Sequence, residues 1–148
     1  MQWREFELAS PELAAIGRDR LGDAPAYLAT VRSDGRPRVH PVTPIFTDEK
    51  LWLFMEPTSP KGRDLVDRHH YTLHGRVDDA SGGQGEFIVS GRGALVSDVV
   101  EREQVAAAAQ YRPKDRYVLF ELAVDEAMAT HYDAEGEPRR LRWKAPAT

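Results

Sequence analysis

Apolar residues recur at helical spacing shortly after the N-terminus, at Leu13, Ile16 and Leu21. Ser10 and Pro11 precede them and form the pair of N-cap and first-turn proline that is typical of a helix start. A glycine follows the last apolar position and is a common stop signal. The pattern therefore predicts a first helix over Pro11–Leu21.

Most of the remaining chain alternates between apolar and polar residues with the period of two that indicates β-strands. An Asp34-Gly35 turn joins the first two strands into a hairpin. Two further helices, Pro60–Arg68 and Val99–Gln110, begin at capping signals. From these segments we expect six or seven strands. The segments with strand character are Ala26–Arg32, Arg38–Phe46, Leu51–Glu56, Tyr71–Val77, Glu86–Val96, Arg116–Val124 and Ala127–Tyr132, with Arg139–Lys144 as an optional last strand. Antiparallel strands with three short helices predict an α+β domain built on a small barrel.

Composition excludes several functional classes. The chain of 148 residues has a net charge of −4 and no cysteine, which fits one domain over residues 1–148 and rules out disulfides and thiolate metal sites. Its apolar stretches are far shorter than the roughly 20 residues of a membrane span, and mild acidity argues against nucleic-acid binding. The N-terminus lacks the pattern of a secretory signal, so we expect a cytoplasmic protein.

The segment Met55–Arg63 joins a predicted strand end to a predicted helix start. A helix N-terminus presents free N–H groups and a partial positive charge, so it binds anions readily. Pro60 has no N–H, which leaves the next three residues as donors; Lys61 and Arg63 add full charges, and Gly62 permits the close approach of a bulky anion. The segment predicts a phosphate site. The alternative is a well-capped helix with a solvated lysine.

The predicted strand after the hairpin turn is broken by two prolines, Pro41 and Pro44. Each proline removes a donor from strand pairing, so this strand lies at an edge, carries a bulge, or faces something other than a neighbouring strand. Its free backbone groups can hydrogen-bond the edge of a planar heteroaromatic ring. An ordinary edge strand that prolines protect from aggregation is the alternative.

Two other groups of residues raise further hypotheses. Four cations surround Trp143 within Arg139–Lys144, a composition that is typical of an interface or a ligand clamp, although a disordered tail is possible. A histidine metal hydrolase is a rival interpretation. It is disfavoured because His70 and His74 on a strand would lie about 13 Å apart, too far to share one ion.

Seven segments of the chain occur in an order that resembles the pyridoxamine 5′-phosphate oxidase-like, FMN-binding split-barrel family. They are Tyr27–Val31 with Asp34–Pro37, Val39–Phe46, Leu51–Met55, Ser59–Lys61 with Asp64–Leu65, and Leu141–Trp143. The likeness covers essentially the whole chain and is greatest to short actinobacterial-type members.

The resemblance implies a homodimer of six-stranded antiparallel split β-barrels, each with about three flanking helices and α+β in class. FMN would bind in clefts between the subunits and act on a small molecule as a flavin-dependent oxidoreductase, with no catalytic side chain required. Trp143 would come from the partner subunit. The cofactor-binding residues that the resemblance implies are Val39, His40, Pro41, Val42, Thr43, Met55, Glu56, Thr58, Ser59, Lys61 and Trp143.

The same residues leave alternatives open. Some short relatives bind a deazaflavin coenzyme in place of FMN, and both cofactors present a planar ring and a ribityl phosphate. A module that stores or senses flavin or haem without turnover is a candidate from another class. The strand that begins near Val39 has two prolines where the pyridoxamine phosphate oxidases proper carry an Arg-x-Val-Leu-Leu-Lys-type run, so vitamin B6 is not the expected substrate.

Overall fold

The computed structural model describes residues 1–22 and 24–147; Asp23 and Thr148, both within the predicted domain, lie outside the described residues. The described residues form four helices and eight strands. The helices are α1 (Trp3–Ala9), α2 (Pro11–Leu21), α3 (Pro60–Arg68) and α4 (Val99–Ala108). The strands are β1 (Ala26–Val31), β2 (Pro37–Val42), β3 (Ile45–Phe46), β4 (Leu51–Met55), β5 (His70–His74), β6 (Glu86–Val96), β7 (Val118–Tyr132) and β8 (Pro138–Lys144).

The strands form one antiparallel sheet in the order β2-β1-β5-β6-β7-β4-β3, with β8 paired to β7. The two ends of this path, β2 and β3, are consecutive in the chain and are separated only by Thr43 and Pro44. The chain therefore passes directly from one end of the path to the other, so the curved sheet closes into a barrel. The prediction of an α+β fold is confirmed, with eight strands and four helices where six strands and about three helices were expected.

Part of the difference in strand number comes from the segment Arg38–Phe46, which the sequence predicts as one strand. In the structure β2 ends at Val42 and β3 begins at Ile45, so the strand breaks at Pro44. A proline has no N–H for strand pairing, and the residue before it is restricted as well. The break is what allows the chain to turn from one end of the sheet to the other.

The segments Arg116–Val124 and Ala127–Tyr132, predicted as two strands, form the single strand β7. It remains continuous because the register against β6 shifts by one residue between Ser90 and Gly91, which leaves Asp125 as a bulge. The two glycines of β6 predict a bulge or bend, and the register shift confirms it.

Helix α1 is not among the predicted elements. Its side chains Trp3 and Phe6 are fully buried, and their rings meet edge to face with centroids 5.1 Å apart. The N–H of Gln2 donates to the Glu5 carboxylate at 2.7 Å and closes the first turn. Helix α1 therefore packs its two aromatic side chains into the hydrophobic core. None of the helices in residues 1–22 and 24–147 is long and apolar enough to cross a membrane.

Strand β4 is buried on both faces. Leu51, Leu53 and Met55 point into the main core inside the barrel, whereas Trp52 and Phe54 pack in a second, smaller core that includes Val105 of α4. Because both faces are covered, β4 is held firmly, and its end at Met55 is a fixed point from which the chain enters α3.

Candidate cofactor site

The turn between β4 and α3 has the capping geometry that the sequence predicts. Helix α3 spans Pro60–Arg68, as predicted, and the Ser59 Oγ accepts a hydrogen bond from the Gly62 N–H at 3.2 Å. The Ser59 carbonyl accepts from the Arg63 N–H at 3.1 Å. Thr58 is exposed beside this cap. The N-terminus of α3 is thus well ordered and open to solvent at its first turn.

Gly62 serves helix packing rather than the approach of an anion. It is buried, and a Cβ at this position would lie 2.9 Å from the Ser59 Oγ and 3.2 Å from the Met55 Sδ. The missing side chain therefore points at the protein and lets α3 sit tightly on the end of β4. Met55 is itself only 3% exposed, so its side chain belongs to the core and its backbone borders the turn.

Glu56 is already engaged by a cation. The Arg116 guanidinium donates two hydrogen bonds to the Glu56 carboxylate, from Nε to Oε2 at 2.9 Å and from a terminal nitrogen to Oε1 at 2.5 Å. The hydrogen bond from Arg116 holds the pKa of Glu56 below its ordinary value, and the charges of Lys114 and Lys61 lower it further. The Glu56 carboxylate is therefore committed to Arg116, and its carbonyl accepts from the Ser59 N–H at 3.1 Å.

Positive charge exceeds negative charge around this turn. Lys61 and Arg63 make no ion pair within residues 1–22 and 24–147, while Lys61 is half-buried. The charges of Lys61, Lys114 and Arg116 all act on the carboxylate of Glu56. The N–H groups of Gly62 and Arg63 donate to Ser59, so the prediction of three free backbone donors is wrong for two of them and, in the part of the chain that the structure describes, only the Lys61 N–H is left for a ligand. Cations without an ion pair at the positive end of a helix dipole still favour a phosphate or carboxylate.

The predicted cofactor residues of β2 lie on two different faces. Val39 and Pro41 point outward with Pro37, and Val39 is 60% exposed. His40 and Val42 point inward, opposite the buried Leu28 and Ala26 of β1. Thr43 follows the end of the strand. A flat ligand against this edge can therefore touch only one set of side chains together with the backbone.

Arg38, which the sequence analysis did not select, faces inward beside these residues. Its Nε donates to the Asp64 carboxylate of α3 at 2.8 Å, and the Thr30 hydroxyl donates to the same oxygen at 2.8 Å. Arg68 donates to the other oxygen at 2.9 Å. Burial by itself would raise the pKa of Asp64, but these three hydrogen bonds outweigh it and hold the pKa below its ordinary value.

The sheet has a continuous outer face that runs across six strands. One cross-strand row on this face consists of Pro41, Tyr27, His74, Ile88, Met128 and Arg142. Its β1–β2 end is apolar and open, since Tyr27 is 52% exposed and Val39 lies in the next row. We call this set of side chains the outer face.

A groove of about 470 Å³ lies at the opposite end of the outer face. Its residues are Ile88, Ser90, Glu126, Ala127, Met128, Arg142, Trp143 and Lys144. The ring of Trp143 packs on Phe6 of the same chain, with ring centroids 4.8 Å apart. The exposed part of Trp143 borders the groove. Within one chain, Trp143 is separated from β2 by the strands β7, β6, β5 and β1. A ligand on β2 does not meet Trp143 through the sheet of its own chain.

The histidines are dispersed. His70 and His74 are the first and last residues of β5, as a strand interpretation requires, and the Nε2 of His74 lies 3.4 Å from Glu86. No group of three or more potential metal ligands occurs in the described part of the chain.

Comparison with known proteins identifies the family. The family model of pyridoxamine 5′-phosphate oxidase matches residues 19–131, which includes β1 to β6, both hairpin strands and the α3 turn. The chain therefore belongs to the pyridoxamine 5′-phosphate oxidase family, as the resemblance predicts. No curated protein matches the chain in sequence.

Solved structures share the fold at low sequence identity. PhzG from Burkholderia lata 383, solved with tetrahydrophenazine-1-carboxylic acid, has a TM-score of 0.65 and 18% identity over 96% of this chain and 87% of that chain. An F420 reductase has a TM-score of 0.58 and 18% identity, covering 74% and 94%. HutZ, the haem storage protein from Vibrio cholerae, has a TM-score of 0.56 and 18% identity, covering 78% and 89%. These likenesses show the fold.

Proposed function

We propose that this protein is a flavin-dependent oxidoreductase that binds FMN between two copies of the chain and reacts with a small molecule. The observation that carries the proposal is the cationic turn at the N-terminus of α3, where Lys61 and Arg63 form no ion pair within the described residues. Family membership supports it, since the resemblance implies FMN at this turn.

The residues of the turn fit a ribityl phosphate. Ser59 caps the helix, Lys61 supplies a charge one residue into the first turn, and Arg38 lies on the neighbouring strand with its side chain 25% exposed. Charge-assisted hydrogen bonds from such groups are about twice as strong as neutral ones. We add Arg38 to the predicted phosphate ligands on the basis of its contact with α3.

The outer face supports a homodimer. In a two-fold dimer the same patch meets itself, so residues at one end of the patch face residues at the other end in the partner. If the two-fold axis passes near the middle of the outer face, the groove beside Trp143 lies over β2 of the second copy. This arrangement brings Trp143 of one copy to β2 of the other copy, whereas the Trp143 and β2 of one chain are separated by four strands.

FMN when bound would supply hydride chemistry, and the protein would supply position and electrostatics. The cations at α3 hold the phosphate, and the apolar side chains Val39 and Pro41 cover the outer side of β2. A second chain over this face excludes water from the ring. No side chain of the site needs to act as an acid or a base.

Two alternatives remain within the family fold. A deazaflavin coenzyme has the same phosphate and a planar ring, and the F420 reductase of this fold favours it as the second candidate. A flavin- or haem-binding module without turnover is the candidate of another class, since the haem storage protein HutZ shares the fold.

The absorbance spectrum of the protein as purified, with mass spectrometry of the released ligand, separates these candidates. We expect flavin absorbance and FMN in the released fraction. Protein purified without ligand is expected to gain about 5–10 °C in Tm at an FMN concentration of 100 Kd. Reduction of the bound cofactor by a nicotinamide donor, followed by steady oxidation of an acceptor, distinguishes the enzyme from a module. Colourless protein whose Tm shifts with neither FMN nor a deazaflavin would contradict the proposal.

The substitution Val39→Asp tests the dimer. We expect it to convert the dimer to monomer, weakening association by about 100-fold or more, because the new carboxylate would be buried without a partner in each half of the interface. Flavin content should fall with the loss of the dimer, as measured by light scattering and absorbance. Val100→Asp is the matched control, since Val100 is 65% exposed on α4, away from the outer face. If both variants keep the mass of the wild type, the outer face is not the interface.

A further inference from the structure

Asp64 is a buried carboxylate whose hydrogen-bonding capacity is largely filled. It is 4% exposed, and its Oδ2 accepts from both the Thr30 hydroxyl and the Arg38 Nε. Its Oδ1 accepts from Arg68, which also donates to the Val31 carbonyl at 2.6 Å. A charge removed from water is costly unless it is paired and hydrogen-bonded in this way. The carboxylate therefore has one well-defined position between β1, β2 and α3.

The contact with Asp64 uses only part of the Arg38 guanidinium. Nε donates to the carboxylate, and neither terminal nitrogen has a hydrogen-bond partner in residues 1–22 and 24–147. A guanidinium is planar and carries five N–H donors in a fixed fork. Once Nε is fixed by Asp64, the remaining donors are directed away from that contact and are available to a ligand.

Lys61 lies on the same side of α3 as this contact. It precedes Asp64 by three residues, and residues at this spacing share a helix face, with Lys61 one turn nearer the N-terminus. The free donors of Arg38 and the Lys61 ammonium therefore flank the same part of the helix, at the turn where the ribityl phosphate is proposed to bind.

We infer that Asp64 is a positioning residue for the cofactor phosphate: it holds the Arg38 guanidinium against α3 so that the free donors of Arg38 complete the phosphate site. The inference rests on the proposed function and deepens it. Thr30 fixes the oxygen that Arg38 binds. Arg68 fixes the opposite oxygen and ties the C-terminal end of α3 to β1.

A purely structural role for Asp64 predicts a different result. Loss of a structural contact would weaken the binding of every ligand of the proposed cofactor site by a similar factor. Loss of a positioned guanidinium weakens only ligands that carry the phosphate. Riboflavin has the ring and the ribityl chain of FMN without the phosphate, so the ratio of its Kd to that of FMN measures this effect directly.

The experiment titrates cofactor-free protein with FMN and with riboflavin. We expect Asp64→Asn to weaken FMN about tenfold or more and to leave riboflavin within about twofold. Arg38→Gln should give the same pattern, and the double variant should be no worse than Arg38→Gln alone, because the two residues act as one unit. Asp67→Asn is the matched control, since it makes the same change at an exposed carboxylate of the same helix that pairs with Arg68 and not with Arg38, and it should keep the riboflavin-to-FMN ratio of the wild type.

Several outcomes would overturn the inference. In one, Asp64→Asn changes both affinities by the same factor or changes neither; in another, its effect adds to that of Arg38→Gln. Should Asp64→Asn fail to fold, Thr30→Val removes one bond to the same oxygen and must lower the ratio about threefold. If the coenzyme is a deazaflavin, it is compared with its phosphate-free core. Wild-type protein that binds FMN and riboflavin equally contradicts this inference alone, whereas wild-type protein that binds no flavin or deazaflavin contradicts the proposed function as well.

Discussion

Replacing Gly91 with alanine is expected to lower the free energy of unfolding by more than about 3 kcal/mol, because the added methyl group would overlap the backbone of the neighbouring strand. A Cβ at Gly91 collides with the carbonyl oxygen of Ala123 at the bulge between β6 and β7. That carbonyl also accepts a hydrogen bond from the buried Tyr71 hydroxyl at 3.0 Å. Neither strand can move aside without disturbing the barrel core.

Gly93→Ala is the matched control for this prediction. Gly93 is buried on the same strand, but its Cβ would lie 3.3 Å from Leu65 Cδ2 and 3.4 Å from Leu122 Cδ2, both of which are movable methyl groups. We expect a change of less than about 1 kcal/mol, since the entropic gain from removing a strand glycine offsets mild crowding. Urea unfolding of both variants measures the difference. Equal losses at the two positions would show that the bulge geometry is not the cause.

Elements with local signals were predicted well from the sequence. The bounds of α2 and α3 agree with the structure because Ser10-Pro11 and Ser59-Pro60 mark helix starts within two residues. Strand β6 also has its predicted bounds. Its alternating apolar residues and internal glycines predict the strand without knowledge of the strands that pair with it.

Features that depend on partners distant in the chain could not be predicted in this way. The side of β2 on which Val39 and His40 lie is set by pairing with β1 and by the contact of the barrel with α3. Helix α1 has only seven residues, too few for a periodic pattern, and it is held by the burial of Trp3 and Phe6.

The ion pairs of the candidate site also depend on partners that are distant in the chain. Arg38 and Asp64 are 26 positions apart, and Glu56 and Arg116 are 60 positions apart. No spacing rule connects residues at such separations. The cationic turn was predicted because its residues are consecutive, whereas the buried carboxylate that organises Arg38 became visible only in the folded chain.

Lys61→Ala is expected to weaken FMN binding about 10- to 100-fold and to leave riboflavin binding nearly unchanged. A hydrogen bond to a charged group contributes about 1.5–3 kcal/mol, which corresponds to this range of Kd. Isothermal titration at low and moderate salt measures both ligands. The wild-type affinity for FMN should fall with added salt, and the fall should be smaller in the variant, because screening acts on the charge that was removed.

Lys114→Ala separates a specific contact from the general positive charge of this region. The charges of Lys61 and Lys114 both lower the pKa of Glu56, so each substitution removes one charge from the same neighbourhood. Of the two lysines only Lys61 stands in the first turn of α3, where its ammonium and the free donors of Arg38 can reach the same phosphate. Lys114→Ala should therefore change the FMN Kd by less than about threefold. If the two lysines prove equivalent, the affinity comes from net charge alone, and the phosphate does not bind at the N-terminus of α3.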